Sequence, residues 1–386
     1  MCELRSRFLK LVVICGALTL QPGVFLSAQE LAGSDARAAY EEAMTTGLYG
    51  EAEAAAKQLL DRAIRDGLRD EIETAALFTD LGNAQRLNGD YEAAIQNFEL
   101  AVAIVESRSD NLDINLAEPL LGLGHAYIDN NRPDLALPKL ERSLHVRQVN
   151  EGLHNLAQVE TLDLLVDAYR SMGETGDAIE AADRLVLLYA RNFPGQSMEV
   201  VPALMRKGQV FGEAKNWREE RNAYNEAVGV VEDNDGKRSS NLSRPLINLG
   251  NSHQREYFDL FLAATTEEEL PDKRLLSEAE SYLESALEFA REDEDIDWKI
   301  LTEALLALGD FYTLIEEPGR ARVMYRDAWQ ILTDDDKRMA LRGDLLETPV
   351  PLMQPEPDLT VALPFDEQGN PTSAGWDTGY IVTQFT

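Results

Sequence analysis

Cysteine is almost absent from this chain of 386 residues, because Cys2 and Cys15 are the only two and both lie near the N-terminus. The rest of the chain therefore has no candidate disulfide or thiolate metal site, and its stability has to come from packing. The four histidines do not form a His/Glu pair with metal-ligand spacing. Glycine-rich phosphate loops and nucleophile elbows are also missing. The sequence therefore predicts a non-enzymatic protein without cofactor or metal.

Basic residues are few in comparison with acidic ones. The chain has 36 Lys and Arg against 69 Asp and Glu, which gives a formal net charge of −33 at pH 7. Nucleic acids and anionic lipids bind through Lys and Arg, so this balance disfavours both as partners. The excess of acid is explained by solubility alone, or by a basic protein partner.

The N-terminus has the pattern of an export signal. Arg5, Arg7 and Lys10 precede the apolar run 11–20, and small residues end at Ala28, a pattern typical of signal-peptide cleavage. The run is shorter than the roughly 20 apolar residues that span a bilayer. We predict a signal peptide at 1–28 and an exported protein, periplasmic or secreted, without a stable membrane span after cleavage. A membrane anchor is the alternative.

Small residues recur at a fixed interval along the chain. The interval is 42 residues in two runs of alanine: Ala52, Ala94, Ala136 and Ala178, then Ala279 and Ala321. A period in this range is the signature of stacked helical repeats. Such arrays present long surfaces to partners.

Each unit divides into two amphipathic segments with helical spacing. The first carries a Leu-Gly pair and an aromatic residue, as in Leu123, Gly124 and Tyr127. The second carries a small–large–small set, as in Ala94, Phe98 and Ala101. Small residues at fixed positions allow two helices to approach closely, and the large residue fills the space between them.

This pattern resembles the tetratricopeptide repeat. The usual unit has about 34 residues, and the longer unit found here is similar to the repeats of kinesin light chains. The resemblance implies an all-α solenoid of about fourteen helices, in helical hairpins, over residues 33–335. Seven units are predicted to start near 33, 75, 117, 159, 201, 243 and 302.

Two units depart from the pattern. In the fifth, Lys207 and Glu220 occupy positions that are apolar or small elsewhere, which predicts looser packing. In the sixth, an insertion near 256–275 is predicted to extend the first helix from Glu256 to Leu270 and to end before Pro271. The insertion is either a tolerated surface feature or an element that contacts a partner.

The periodicity stops after Asp335. Proline-rich residues 336–358 are predicted to form a linker, and residues 359–386 a strand-containing segment. The run 379–386 is similar to the first strand of a TonB C-terminal-type domain, which implies that a small α+β domain is truncated here. The alternatives are a frayed tail and a strand docked on the last hairpin.

Polar residues follow the Leu-Gly pair along the array. The resemblance implies that first helices line an inner groove, where these side chains would meet a partner's backbone. The predicted partner-binding residues are Asn83, Arg86, His125, Asp167, Arg170, Gln209, Asn251, Gln254 and Arg255. Solvent exposure alone would equally explain a polar column. We expect Arg86 and Arg170 to bind carboxylates or carbonyls.

Three functions are compatible with these observations. The first is an exported scaffold that binds a protein or peptide partner through its helices. The second is a cell-envelope transducer of TonB-like type whose C-terminal domain is truncated in this chain. The third is an enzyme whose activity lies beyond the array.

Overall fold

The computed structural model describes residues 28–332, except 69–70, 194–196, 266–269 and 294–296. Within these residues the secondary structure consists of α-helices, short 3-10 turns and loops. The predicted all-α fold is therefore confirmed. The predicted signal peptide, apart from its last residue, and the predicted linker and strand segment lie outside the described residues.

Fourteen α-helices form seven consecutive helical hairpins in the described part of the chain. They are α1 (Ala28–Thr45), α2 (Tyr49–Arg65), α3 (Ile72–Leu87), α4 (Tyr91–Arg108), α5 (Ala117–Asp129), α6 (Pro133–Glu151), α7 (Val159–Met172), α8 (Thr175–Asn192), α9 (Val201–Glu213), α10 (Trp217–Asp235), α11 (Ser243–Ala263), α12 (Arg274–Glu292), α13 (Trp298–Leu314) and α14 (Pro318–Leu332). Odd-numbered helices are the first helices of their hairpins. Each hairpin packs on the next, as the repeat pattern predicts.

The Leu-Gly glycine of a hairpin faces the large residue on its second helix. A β-carbon added to Gly82 would come 2.8 Å from Phe98 Cε1, and one added to Gly309 would come 2.6 Å from Tyr325 Cε1. The small residues of the second helices are equally enclosed, and Ala94 is fully buried. The periodic columns of the sequence are thus the contacts that close each hairpin.

Tyrosines of the first helices connect each hairpin to the one before it. In three places a tyrosine hydroxyl donates a hydrogen bond to a glutamate 28 residues earlier, on the preceding second helix: Tyr127 to Glu99 (3.4 Å), Tyr169 to Glu141 (2.8 Å) and Tyr312 to Glu284 (3.1 Å). The aromatic column therefore serves packing through its ring and pairing through its hydroxyl. These hydrogen bonds were not predicted from the sequence.

The loops between hairpins are fastened by a second periodic set. The side-chain amide of Asn150 donates to the carbonyl of Leu112 at 2.7 Å, and that of Asn192 donates to His154 O at 2.7 Å. Both asparagines lie at the end of a second helix and reach the loop before their own hairpin. These hydrogen bonds satisfy the loop carbonyls and hold the loop in place just before the first helix of the same hairpin.

The predicted extension of the sixth hairpin is shorter than expected. Helix α11 ends at Ala263, seven residues before Leu270, and Ala264 is already extended, with φ −65° and ψ 129°. Threonines at 265 and 266 have low helix propensity. The acidic run 267–269 would also place three negative charges at the negative end of the helix dipole. The expectation of a helix to Leu270 is therefore wrong.

The hydrophobic core is interrupted in the fifth hairpin. One large buried cluster runs from Tyr40 to Val210, and a second runs from Tyr224 to Ala328. Between them lies a small cluster of three buried residues, Leu204, Ala227 and Val230. The break falls in the unit that the sequence singled out by its two charged substitutions.

Candidate partner-binding face

The first helices lie close to one another along the array. Helix α3 contacts α5, α5 contacts α7, and α11 contacts α13, whereas no comparable contact joins successive second helices in the described part of the chain. The first helices therefore form the more crowded side. We call the surface of α3, α5, α7, α9 and α11 the first-helix face. Each predicted partner-binding residue belongs to one of these five helices.

Arg86 and Arg170, which we expected to grip a partner, already hold carboxylates of this chain. Arg86 Nη1 lies 2.8 Å from Asp129 Oδ2 on the next first helix. Arg170 Nε donates to Glu213 Oε2 at 2.8 Å, and its Nη1 reaches Asp167 at 3.1 Å. A partner carboxylate would have to displace these acids.

These two pairs belong to a longer series that we call the charge ladder. In three places an arginine pairs with an acid 43 residues later, on the next first helix: Arg37 with Asp80, Arg86 with Asp129, and Arg170 with Glu213. Lys215 reaches Asp259 in the same direction, at 2.6 Å. Arg206 reaches back to Asp163 at 2.9 Å. In the sequence, the ladder is visible as oppositely charged residues separated by 43 positions, which is one repeat unit plus one residue.

A histidine–glutamate pair joins α5 to α7 with a different separation, 35 residues, and we count it as part of the charge ladder. His125 Nε2 lies 2.8 Å from Glu160 Oε1. This hydrogen bond is the main reason that the pKa of Glu160 lies below its ordinary value, and the charge of His125 adds to it. At Asp80 the balance is reversed, because burial outweighs the hydrogen bond from Arg37 and raises the pKa of that carboxyl. The ladder therefore contains one carboxyl with a lowered pKa and one with a raised pKa.

Three predicted residues keep free hydrogen-bonding groups. The side chains of Asn83, Gln209 and Asn251 have no hydrogen-bond partner among the described residues, and Gln209 is exposed. An amide side chain both donates and accepts, as a peptide group does. These three residues place that chemistry in the second, fifth and sixth hairpins.

Two further predicted residues lie on α11. Gln254 is buried, with 9% of its surface exposed, so it offers little contact area. Arg255 is exposed, pairs with Glu220 and lies 5.7 Å from the ring centroid of Trp217. Asp167 pairs with both Arg170 and Arg206.

The last two turns of α11 carry several aromatic and apolar side chains. Tyr257 and Phe261 stack with 6.2 Å between ring centroids, and Phe258 meets Tyr257 edge-on at 5.5 Å. Leu262 is 82% exposed.

Within the described residues no helix has the length and apolarity of a bilayer span, and no group of three or more His, Cys, Asp or Glu is placed to bind a metal.

Comparisons with known proteins found one family model and several solved structures. The family model of the tetratricopeptide repeat matches residues 75–104, and no curated protein matches the chain. Solved structures with similar folds include TPR-like repeats of a kinesin light chain candidate from Podosopora anserina (17% identity, TM-score 0.48, covering 53% of this chain and 99% of that one). They also include BtubC from P. vanneervenii (17%, 0.37, 82% and 93%) and apo RapI (12%, 0.47, 82% and 99%).

The matched residues 75–104 fall on α3 and α4, the second hairpin. The glycine–large-residue contact that closes this hairpin recurs in the last hairpin, at Gly309 and Tyr325. Residues 75–104 are a tetratricopeptide repeat, and the described helices together form a helical-hairpin array of that type.

Proposed function

We propose that this protein is a non-enzymatic scaffold that binds a protein or peptide partner along the first-helix face. The observation that carries the proposal is the set of free amide side chains on Asn83, Gln209 and Asn251. Stacked repeats present extended surfaces that suit long partners. Free amides spread over several hairpins match an extended backbone better than they match a compact ligand.

The charge ladder decides which partner charges are favoured. Its arginines are engaged, while several of its acids keep solvent-exposed surface, including Glu160, at 62% of its side chain, and Glu213, at 46%. A basic side chain can join these acids without displacing an arginine. An acidic peptide terminus would have to compete with Asp129 or Glu213. The favoured partner is therefore an extended, basic segment.

Site-specific photo-crosslinking tests this proposal. A photoreactive residue at Gln209, on the first helix of the fifth hairpin, is expected to capture the partner from the source cell. The matched control is Glu226, an exposed residue on the second helix of that hairpin. A third position, Leu262, samples the α11 extension. Crosslinks at Glu226 or Leu262, with none at Gln209, would move the binding surface away from the first-helix face.

We also propose that the protein is exported, periplasmic or secreted, on the basis of the sequence pattern in residues 1–28. Mass spectrometry of the mature protein is expected to find Gln29 at or near its N-terminus. An intact Met1–Ala28 segment would contradict cleavage. The TonB-like alternative rests on residues 359–386, which lie outside the described residues, and it has no support from the fold.

A further inference from the structure

The fifth hairpin carries charges at two positions where the other hairpins pack apolar groups. Lys207 occupies the position that is leucine in five other hairpins, each leucine at most 4% exposed: Leu81, Leu123, Leu165, Leu249 and Leu308. Glu220 occupies the position of the buried alanine column, which includes Ala136 and Ala178. Two buried columns that are apolar in the other hairpins therefore carry charges in this one unit.

Lys207 connects the fifth hairpin to the fourth by charge. Its Nζ lies 2.7 Å from Asp183 Oδ1 on α8, and it also lies 5.8 Å from the ring centroid of Phe211. The side chains of Lys207 and Asp183 are 27% and 50% exposed. Water and salt reach this ion pair, so it is weaker than the leucine contact in the other hairpins.

Glu220 connects the fifth hairpin to the sixth in the same way. Its side chain is fully buried, and it accepts a hydrogen bond from Ser252 Oγ at 2.7 Å and pairs with Arg255, both on α11. Gly212 on α9 provides the space, because a β-carbon there would come 2.6 Å from Glu220 Oε1. A buried ion pair often stabilises a fold no more than the apolar contact that it replaces, because the cost of desolvating the charges offsets most of their attraction.

The apolar core is thin at the same place. The first large cluster ends with Ala203 and Val210 of α9, and the second begins with Tyr224 of α10. In stacked repeats the total stability is approximately a sum over units and the interfaces between neighbours. A weak interface therefore localises opening to the unit that contains it.

We infer that the fifth hairpin, α9–α10, is an ionic joint that divides the array into two cooperative blocks, α1–α8 and α11–α14. Local opening of α9–α10 allows the first-helix face to bend between the blocks while α1–α8 and α11–α14 remain folded. Salt weakens the joint by screening the exposed Lys207–Asp183 pair. Opening of the joint is a property of the array and is independent of the surface that binds a partner.

Hydrogen–deuterium exchange of the full chain tests the joint without any substitution. Backbone amides of α9 and α10 are expected to exchange about tenfold faster than those of α5 and α6, an interior hairpin with the regular columns. Raising NaCl to about 0.5 M is expected to widen this difference. Equal protection of the two hairpins at both salt concentrations would overturn the inference.

A variant that restores the columns provides the second arm. Lys207→Leu, Glu220→Ala and Ser252→Ala together replace the charges with the regular residues and remove the hydroxyl that would lose its acceptor. Exchange in α9–α10 is expected to slow to within about threefold of α5–α6 and to lose its salt response. Lys139→Leu with Glu180→Ala removes the same charges elsewhere, and it should leave α9–α10 unchanged. A variant that folds by circular dichroism but exchanges like wild type would also overturn the joint.

Discussion

Gly250 of α11 and Leu283 of α12 approach so closely that a β-carbon on the glycine would lie 2.6 Å from Leu283 Cγ. The same β-carbon would lie 3.1 Å from the carbonyl oxygen of Ala279, a backbone atom with little freedom to move. Gly250 has helical geometry inside α11. Packing against the second helix, and not a special backbone conformation, therefore requires glycine at this position.

Gly250→Ala should consequently destabilise the protein. Overpacking of a well-filled interior costs about 1–3 kcal/mol, and we expect a loss of that size in urea denaturation. Gly229→Ala is the matched control, because Gly229 lies inside α10 and nothing would lie within 4 Å of its β-carbon. That change should gain up to about 1 kcal/mol from helix propensity. Equal effects of the two substitutions would contradict the packing role of Gly250.

Phe98→Ala should be among the most costly single substitutions in the array. The ring is fully buried and faces both Gly82 of its own hairpin and Gly122 of the next. Its removal is expected to cost about 3–5 kcal/mol in the free energy of unfolding. Leu100→Ala on the same helix, where Leu100 is 48% exposed, should cost much less. A loss within about 1 kcal/mol for Phe98→Ala would mean that the neighbouring hairpins collapse into the space.

The packing columns were predictable from the sequence because burial repeats with the unit. Ala94, Phe98 and Leu123 lie where the 42-residue pattern places them, and each is buried. The charge ladder was not predicted, because it joins Arg86 of one unit to Asp129 of the next. That pairing depends on the stagger of two first helices, which periodicity within a single column does not reveal.

For the predicted site too, the positions of the residues followed from the periodicity, whereas their pairing did not. Periodicity correctly placed the polar residues on the first helices, but it did not show which of them were already paired. Arg170 is held by Glu213, whereas Gln209 is free among the described residues. The predicted end of α11 is too late because the apolar residues 258 and 260–262 favour a continuing helix, whereas the threonines and the acidic run after Ala263 favour its end.

The charge ladder should show pairwise coupling in a double-mutant cycle. Arg86→Asp and Asp129→Arg, made singly, each bring like charges together on adjacent first helices. Made together, they restore an opposite-charge pair with exchanged positions. Because the side chains are 18% and 32% exposed, a coupling of about 0.5–1 kcal/mol is expected, with weaker coupling at high salt. Additive losses in urea denaturation would show that the pair contributes no specific interaction.

The last hairpin should make stability depend on pH through Asp310. Burial is the main reason that the pKa of Asp310 is raised above its ordinary value, and a hydrogen bond from Tyr325 opposes this rise. Tyr325 Oη lies 2.6 Å from Asp310 Oδ1. Because the folded protein binds this proton more readily than the unfolded chain, the contribution of Asp310 to stability increases as pH falls through the raised pKa. It becomes constant below the ordinary aspartate pKa.

Asp310→Asn removes this contribution. Between about pH 7 and pH 4, the free energy of unfolding of wild type relative to the variant should increase as pH falls, by at most about 1.4 kcal/mol per pH unit. Asp177→Asn on the exposed surface of α8 controls for the loss of one negative charge. Tyr325→Phe removes the hydrogen bond that favours the carboxylate, so the pKa of Asp310 should rise further and the pH-dependent window should move to higher pH. Parallel pH profiles for wild type and Asp310→Asn would mean that the carboxyl is as well hydrated in the folded protein as in the unfolded chain.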